Sequence, residues 1–287
     1  MVPAAIRPGG ACMSTAVLQR ARGWFGLTAK LRDGQTVRGD LEQDGCCRLL
    51  FPRVDGASLE AVTVNISGGI VGGDRIEGRI ACAPDTELLV TSQAAERIYR
   101  ARASDTPPEI LTSCHIAARA RLDWLPHGTI FFDGSQLRRH MTVDMDASSS
   151  FLFLESRMFG RTGSGEILQT LALRDRLTVR RDGRLILEDL VRLESDDVSA
   201  LMARKAMSAD QFAVATLVLV SPLAETYLDA VRDVLDAIAP HEFAASAWNG
   251  MLVIRGVASG GWPLEKTIRQ ILPVLRDGRP MPATWRS

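Results

Sequence analysis

Six carboxylates in this sequence stand beside glycine turns or apolar runs, where an acidic side chain could serve as a general acid or base or bind a cation. They are Asp74, Asp123, Asp133, Glu155, Glu166 and Glu188. Most Asp and Glu side chains are solvated surface charges, so position alone assigns no role to any of them. Glu155 differs because it directly follows the apolar run from Phe151 to Leu154. A carboxylate that emerges from a core needs a partner such as Arg157, Arg161 or a cation.

A second candidate is the glycine-rich stretch from Asn65 to Arg75, which holds two glycine pairs followed by Asp74. Glycine loops that bind phosphate present backbone N–H groups at the start of a helix. Here the following residues, 75–82, alternate between apolar or small and charged side chains, which predicts a half-buried strand. The spacing also fits neither a Walker loop nor a dinucleotide fingerprint. We therefore interpret the glycines as formers of a sharp turn, beside which Asp74 could do more.

Residue types that usually perform nucleophilic or metal chemistry are scattered along the chain. The four histidines are far apart in sequence: His115, His127, His140 and His241. Gly163-Ser164-Gly165 lacks the frame of a serine nucleophile elbow. Cys82 and Cys114 lie in predicted strands, where a buried and inert thiol is the usual outcome. An enzyme with a carboxylate-centred site, such as a hydrolase that uses Glu155 or Asp133 as acid or base, stays open as an alternative.

Composition limits the class of protein and its partners. The chain has 287 residues, of which 46% are hydrophobic, and its 34 basic and 34 acidic residues balance. This balance gives no electrostatic reason to expect a nucleic-acid or anionic membrane partner. Five cysteines without a Cys-x-x-Cys pair indicate reduced, intracellular thiols. The longest apolar run, residues 212–220, is too short to span a bilayer, so we expect a soluble, cytoplasmic protein.

From Trp24 to about Glu194 the sequence has the character of β-strands separated by turns. The predicted strands include residues 86–92, 97–101, 110–120, 129–133 and 136–146, and we predict no helix in this region. Phe151 to Leu154 is apolar on both sides, which predicts a strand covered on both faces. Asp182-Gly183 between alternating runs predicts a β-hairpin. Residues 1–20, rich in Pro, Gly and Ala, are predicted to be a loose tail.

The pattern changes after about residue 199. A helix is predicted from Ser221-Pro222 to Pro240, with an apolar stripe that contains Leu223, Tyr227, Val231, Val234, Leu235 and Ile238. Asn249-Gly250 predicts a second hairpin, and Pro263 begins a final helix that Pro273 should kink or end. The fold class is therefore mainly β, with stacked sheets and two α-helices in the C-terminal third. We expect one β-rich domain over residues 21–287 with an α/β closing element from about 200, or alternatively a split near 200.

Five collinear segments of the chain resemble the UreD (UreH) family of urease accessory proteins. The first two are Asn65-Ile-Ser-Gly-Gly-Ile-Val-Gly-Gly-Asp-Arg75 and Thr91-Ser-Gln-Ala-Ala-Glu-Arg-Ile-Tyr-Arg100. The others are residues 122–126 with Thr129-Ile-Phe, residues 159–166, and the ending Gly278-Arg-Pro-Met-Pro-Ala-Thr-Trp285. The resemblance runs from about Trp24 to the C-terminus. Each segment is weak alone, but five in order are specific.

The resemblance implies a non-enzymatic scaffold that helps to load nickel into urease, with a mainly β fold of stacked sheets and two helices. It implies three partners: the urease apoprotein, a helical accessory protein of the UreF type and, through the complex, a nickel-carrying GTPase of the UreG type. It implies no tightly bound cofactor, since nickel is in transit through an internal passage lined partly by acidic residues. By motif position, that role falls on Asp74, Glu155 and Glu188. A structural adaptor without metal contact is a further alternative.

Overall fold

The computed structural model describes residues 20–53, 56–102, 104–160, 168–204, 211–239 and 242–286. The predicted tail, apart from Arg20, lies outside the described residues, as do Ser164, Glu166 and His241. The strands are β1 (Arg22–Arg32), β2 (Gln35–Gly45), β3 (Cys47–Leu50), β4 (Leu59–Asn65), β5 (Arg75–Cys82), β6 (Glu87–Ser92), β7 (Glu96–Ile98), β8 (Glu109–Ile116), β9 (Arg121–Trp124), β10 (Thr129–Phe131), β11 (Ser135–Met145), β12 (Ser150–Phe159), β13 (Leu171–Arg181), β14 (Arg184–Ser195), β15 (Ala213–Val220), β16 (Phe243–Trp248) and β17 (Met251–Ala258). The α-helices are α1 (Val198–Met202), α2 (Leu228–Ile238) and α3 (Gly261–Leu275).

The strands form two sheets. Sheet A has the order β14-β13-β11-β8-β5-β1-β2, and sheet B has the order β16-β17-β15-β12-β9-β6-β4-β3, with β10 and β7 attached beside β12. From β4 to β13 the chain alternates between the sheets, so that β5, β8, β11 and β13 are parallel neighbours in sheet A and β4, β6, β9 and β12 in sheet B. Consecutive parallel strands of one sheet are thus connected through at least one strand of the other sheet, which takes the place of a helical crossover.

Three layers result, and strand β12 lies in the middle one. Phe151 and Phe153 face the core between the two sheets, whereas Leu152 and Leu154 face the core between sheet B and the helices. All four side chains are buried, which confirms the prediction of a strand covered on both faces. The mainly β fold class is likewise confirmed, as are the hairpins at Asp182-Gly183 and Asn249-Gly250.

The helical predictions were right about the existence of α2 and α3 but not about every detail. Ser221 accepts a hydrogen bond from the Leu223 backbone N–H in a turn, so helical structure begins only at Ala224, as one 3₁₀ turn before α2. Leu223 and Ile238, both assigned to the buried stripe, are exposed, because they lie at the ends of the helical segment where it leaves the core. Pro273 lies in the last turn of α3, which ends two residues later.

Several strand boundaries also differ from the sequence prediction. The strand predicted over residues 110–120 ends at Ile116, and that predicted over 97–101 covers only Glu96–Ile98. A turn follows β8, whereas β7 is followed by an isolated bridge between Arg100 and Ser135, and after each strand the chain crosses to the other sheet. Among the described residues, no helix has both the length and the apolarity that crossing a bilayer requires.

Candidate functional site

A cavity of about 350 Å³ lies between the two sheets. Sheet A contributes residues of β1, β5, β8, β11 and β13 to its wall, and sheet B contributes residues of β3, β4, β6, β7, β9, β10 and β12. The apolar lining comes mainly from core side chains, whereas its polar lining includes Thr63, Glu96, Thr112, His127, Thr129, Arg139, Glu155 and Asp175. A site of this kind can admit a small hydrated ion.

Four charged side chains meet across the gap beside this cavity. Arg139 of β11 contacts Asp175 of β13, with Nε–Oδ1 at 2.9 Å, and also Glu155 of β12, with Nη2–Oε1 at 2.6 Å. Arg157 of β12 binds the same Asp175 through Nε at 2.9 Å and Nη2 at 2.5 Å. The Thr129 hydroxyl donates to Glu155 at 3.1 Å and accepts from Arg139 at 3.1 Å. We name Arg139, Glu155, Arg157 and Asp175 the charge cluster; its formal charges sum to zero.

The alternation of each strand explains why these charges point inward. Arg139 lies between the buried Leu137 and Met141 on the inner face of β11. Asp175 lies between two buried leucines of β13 in the same way. Period-two alternation is therefore the signal that places these charges inside. The predicted partners of Glu155 were Arg157, Arg161 or a cation; Arg161 lies outside the described residues, and Arg157 forms its salt bridge with Asp175. Neither Arg139 nor Asp175 was predicted, because a charged residue in an apolar row reads as an interruption of the pattern.

The two acids of the charge cluster differ in pKa because their surroundings differ. Burial acts to raise the pKa of Asp175, but Arg139 and Arg157 outweigh it and hold that pKa well below its usual range. Burial raises the pKa of Glu155, and the two arginines offset only part of this effect. Asp175 is therefore firmly ionised, and Glu155 is the member whose charge responds more readily to its surroundings.

Glu96 is a third carboxylate on the cavity wall, and the sequence analysis gave it no role. Its oxygens accept from the Asn65 side-chain amide at 3.2 and 3.4 Å and from the Arg97 backbone N–H at 3.1 Å. Burial raises its pKa despite these hydrogen bonds and despite the charge of Arg139 nearby. The resembling segments at Asn65 and at residues 91–100 thus meet at this wall, although they are 31 residues apart at the Asn65–Glu96 contact.

Asp74 occupies a different place, inside the glycine turn that it ends. Its carboxylate is buried and accepts from the backbone N–H groups of Ala21 at 2.7 Å and Val71 at 2.9 Å. Gly69 has a φ of 148°, and a Cβ there would lie 2.4 Å from the Tyr99 ring. The predicted turn therefore depends on glycine, and Asp74 fixes the turn to the start of β1.

Glu188 lies on the outer face of sheet A, away from the cavity. It accepts from the Thr178 hydroxyl at 2.9 Å and pairs with Arg176. The hydrogen bond from Arg176 lowers the pKa of this exposed carboxylate. Asp74, Glu155 and Glu188 thus occupy three separate environments, of which only Glu155 lines the cavity.

The other sequence candidates in the described chain have structural contacts. Asp123 is buried between Arg121 and Arg276, at 2.8 Å from each. Asp133 pairs with Arg100 and accepts from two backbone N–H groups of residues 169 and 170. Cys82 and Cys114 are buried, as predicted, and burial raises the pKa of both thiols, that of Cys82 to about 12.

The described histidines lie at two places in the fold. His127 stacks on the buried Trp285, with ring centroids 5.0 Å apart, while His115 and His140 lie on the outer side of sheet A. Over the described ranges, no three His, Cys, Asp or Glu side chains are grouped so that they could hold a metal ion. Any cation in the cavity would therefore contact single side chains of the wall, such as Glu96, Glu155 or His127, rather than a closed coordination shell.

Comparison with known proteins points to one family. The family model described as UreD urease accessory protein matches residues 21–286. A protein named urease accessory protein UreD from Rhizobium leguminosarum bv. viciae is 43% identical over 267 residues, covering 93% of this chain and 96% of the relative. Proteins of the same name from Chelativorans sp. (strain BNC1) and Agrobacterium fabrum are 38% and 37% identical, covering 95% and 93% of this chain and 96% and 92% of their own lengths.

Proposed function

Because the chain belongs to the UreD family of urease accessory proteins, we propose that it is a non-enzymatic scaffold in the complex that delivers nickel to the urease apoprotein. The family match across residues 21–286 is the observation that carries this proposal. Its partners are the urease apoprotein and a helical accessory protein of the UreF type, and through them a nickel-carrying GTPase of the UreG type. The complex assembles in the cytoplasm.

The cavity between the sheets suits a passage for nickel in transit. Imidazole and thiolate clusters bind Ni²⁺ firmly, whereas isolated carboxylates and hydroxyls allow it to exchange. Glu155 and Thr129 supply such oxygens at the cavity wall. Glu155 is already paired with Arg139, which weakens its hold on a second cation and favours release. We therefore assign Glu155 a transient contact with nickel.

Asp74 and Glu188 also stay candidates for transient nickel contacts, at the two other locations described above. The carboxylate of Asp74 is engaged by two backbone N–H groups, and that of Glu188 by Arg176 and Thr178. Both engagements would compete with a passing ion. We expect Glu155→Gln to reduce nickel loading more than Glu188→Gln does, because only Glu155 faces the cavity.

Co-expression with urease tests the proposal. Urease subunits are produced with and without this chain, urease is purified by affinity capture, and its nickel content is measured by mass spectrometry. The proposal predicts that the chain is captured together with apo-urease and the UreF-type protein, and that nickel content falls when the chain is omitted. Absence of any complex with either protein, or full nickel loading without the chain, would contradict it.

Carboxylate variants distinguish a nickel passage from an adaptor that never contacts metal. Glu155→Gln keeps the size of the side chain, and the capture experiment shows whether partner binding is retained. Lower nickel content with retained capture supports the passage. Unchanged nickel content in the Asp74→Asn, Glu155→Gln and Glu188→Gln variants alike would favour the adaptor.

A further inference from the structure

Arg139 holds both carboxylates of the charge cluster at the same time. Its Nε and Nη2 bind the two oxygens of Asp175 at 2.9 and 2.5 Å, and the same Nη2 lies 2.6 Å from Glu155 Oε1. Asp175 belongs to β13, the parallel neighbour of β11 in sheet A, whereas Glu155 belongs to β12 in sheet B. Arg139 therefore has one bidentate partner in its own sheet and one single contact with the opposite sheet.

The two contacts of Arg139 differ in what their loss would cost. If Arg139 gives up Glu155, it keeps both hydrogen bonds to Asp175, so its buried charge still has a carboxylate partner. Its Nη1 also keeps the hydrogen bond to Thr129 Oγ1 at 3.1 Å. Giving up Asp175 would instead break two charged hydrogen bonds at once. The contact with Glu155 is thus the one that Arg139 can exchange.

Arg139, rather than Arg157, is placed to meet a cation that enters the cavity. Arg139, Glu155 and Asp175 all line the cavity, and Arg157 is not part of its described wall. The side chain of Arg139 is 16% exposed, and that of Arg157 is 5% exposed. Burial raises the pKa of Glu155, and Arg139 opposes that rise more strongly than Arg157 does. A cation at the Glu155 carboxylate therefore competes mainly with Arg139.

We propose that Arg139 is a positioning residue that exchanges with nickel at the carboxylate of Glu155. The exchange presupposes the proposed function, in which nickel passes Glu155, and it identifies the residue that limits how long the ion stays. While nickel contacts Glu155, Arg139 is held by Asp175 alone. When Arg139 returns to Glu155, it displaces the ion. Without Arg139, Glu155 would bind nickel more tightly and release it more slowly.

Nickel binding to the purified full-length chain tests the exchange without urease. Equilibrium dialysis against Ni²⁺ gives the dissociation constant of Arg139→Gln. Its matched control is Arg157→Gln, which removes the same charge from the cluster but leaves the bridge between Arg139 and Glu155 in place. We expect Arg139→Gln to bind nickel about tenfold more tightly than wild type, and Arg157→Gln to stay within about threefold of it. Arg139→Lys, which keeps the charge, should restore wild-type affinity.

Two further readouts separate the exchange from structural damage. Nickel release to a chelator, followed by absorbance, should be about tenfold slower from Arg139→Gln than from wild type. The double variant Arg139→Gln with Glu155→Gln should lose both effects, because Arg139 acts through Glu155. Nickel affinity that does not rise in folded Arg139→Gln, or that rises equally in Arg157→Gln, would overturn the exchange.

Thermal unfolding shows which variants are folded, and a measurement on the wild-type chain decides the question if Arg139→Gln is not. Crystals of the wild-type chain are soaked in Ni²⁺, and anomalous scattering locates the ion. We expect nickel beside Glu155, with the guanidinium of Arg139 bound to Asp175 only. Nickel on Glu155 with the bridge to Arg139 still closed would overturn the exchange but leave the passage standing. Nickel absent from the cavity would refute the passage and the exchange with it.

Discussion

Two cores meet at strand β12 and differ sharply in chemistry. The core between sheet B and the helices is closed and apolar, with side chains such as Leu154, Ile268 and Ile271 fully buried. The core between the sheets is also apolar at one end, but it includes the cavity and the charge cluster. A chain that needed only stability could have filled this space with hydrophobic residues. We therefore infer a division of roles, in which the first core stabilises the fold and the second contains the proposed nickel passage.

Energetics support this separation. Removing charges from water costs several kcal/mol per ion, so a buried ion network often stabilises no more than hydrophobic residues of the same volume. Packed aliphatic side chains, by contrast, contribute about 1.5 to 3 kcal/mol each when fully buried. The charge cluster is thus poor evidence for stability, yet breaking it should be costly, because an uncompensated charge would remain.

The largest effect is expected from Asp175→Asn. This change keeps the shape of the side chain but leaves Arg139 and Arg157 with Glu155 as the only acid of the charge cluster. We expect the free energy of unfolding to fall by about 3 to 5 kcal/mol, measured by urea denaturation. A loss below about 1 kcal/mol would show that the cluster is well hydrated and not a buried network.

The second effect concerns the apolar core. Ile271 of α3 is fully buried, so Ile271→Ala removes packed atoms and leaves a cavity. We expect a loss of about 3 kcal/mol, within the range for such truncations. The control is Ile238→Ala at the end of α2, where the side chain is exposed, and it should change stability by less than about 0.5 kcal/mol. Nickel transfer should be unaffected in any Ile271→Ala protein that remains folded.

A smaller effect, dependent on pH, is expected at His127. Burial lowers the pKa of this imidazole below its ordinary value of 6.5. The folded protein therefore binds fewer protons than the unfolded chain, and stability is full above pH 6.5 and declines as pH falls toward the folded pKa. His127→Phe should keep the stacking on Trp285 and remove this decline.

The difference between wild type and His127→Phe is measured by thermal unfolding at several pH values. Because the ring is only partly buried, we expect less than about 1 kcal/mol of relative change between about pH 6.5 and 5.5. Equal pH profiles for the two proteins would show that His127 titrates alike in the folded and unfolded states.

The smallest effect belongs to the exposed pair of Arg192 and Glu194. Both side chains are more than half exposed, so solvent screens their attraction. Glu194→Gln should leave the urea concentration at the midpoint of unfolding almost unchanged from wild type. It serves as the exposed counterpart of Asp175→Asn, since both replace an arginine-paired carboxylate by an amide. Similar losses in the two variants would erase the proposed difference between buried and exposed charges.

The sequence predicted local features of the fold better than it predicted the site. The glycine turn, the two hairpins and the doubly covered strand depend on neighbouring residues, so their patterns were readable. Glu155 was noticed because it follows an apolar run. Its contacts with Arg139 and Asp175 depend on how the chain winds between two sheets, which no local pattern specifies.

The position of Glu96 at the cavity was likewise not predictable from local sequence patterns. Its position at the cavity follows from the pairing of β7 with β10, and Asn65 reaches it from β4. These contacts join residues that are close in space but far apart in the sequence. The start of helical structure after Ser221 was misplaced for a local reason instead, because serine and proline favour a turn as readily as a helix cap.

We propose that nickel passes through the cavity between the sheets, and one pair of variants tests this passage. Thr112 of β8 faces the cavity, while the next residue, Ser113, is exposed on the outer face of the same strand. Nickel content of co-expressed urease is measured with Thr112→Trp and with Ser113→Trp, both shown to be folded and captured with their partners. We expect nickel near background for Thr112→Trp, because the indole would fill the cavity, and nickel at wild-type level for Ser113→Trp. Full nickel loading with Thr112→Trp would contradict it.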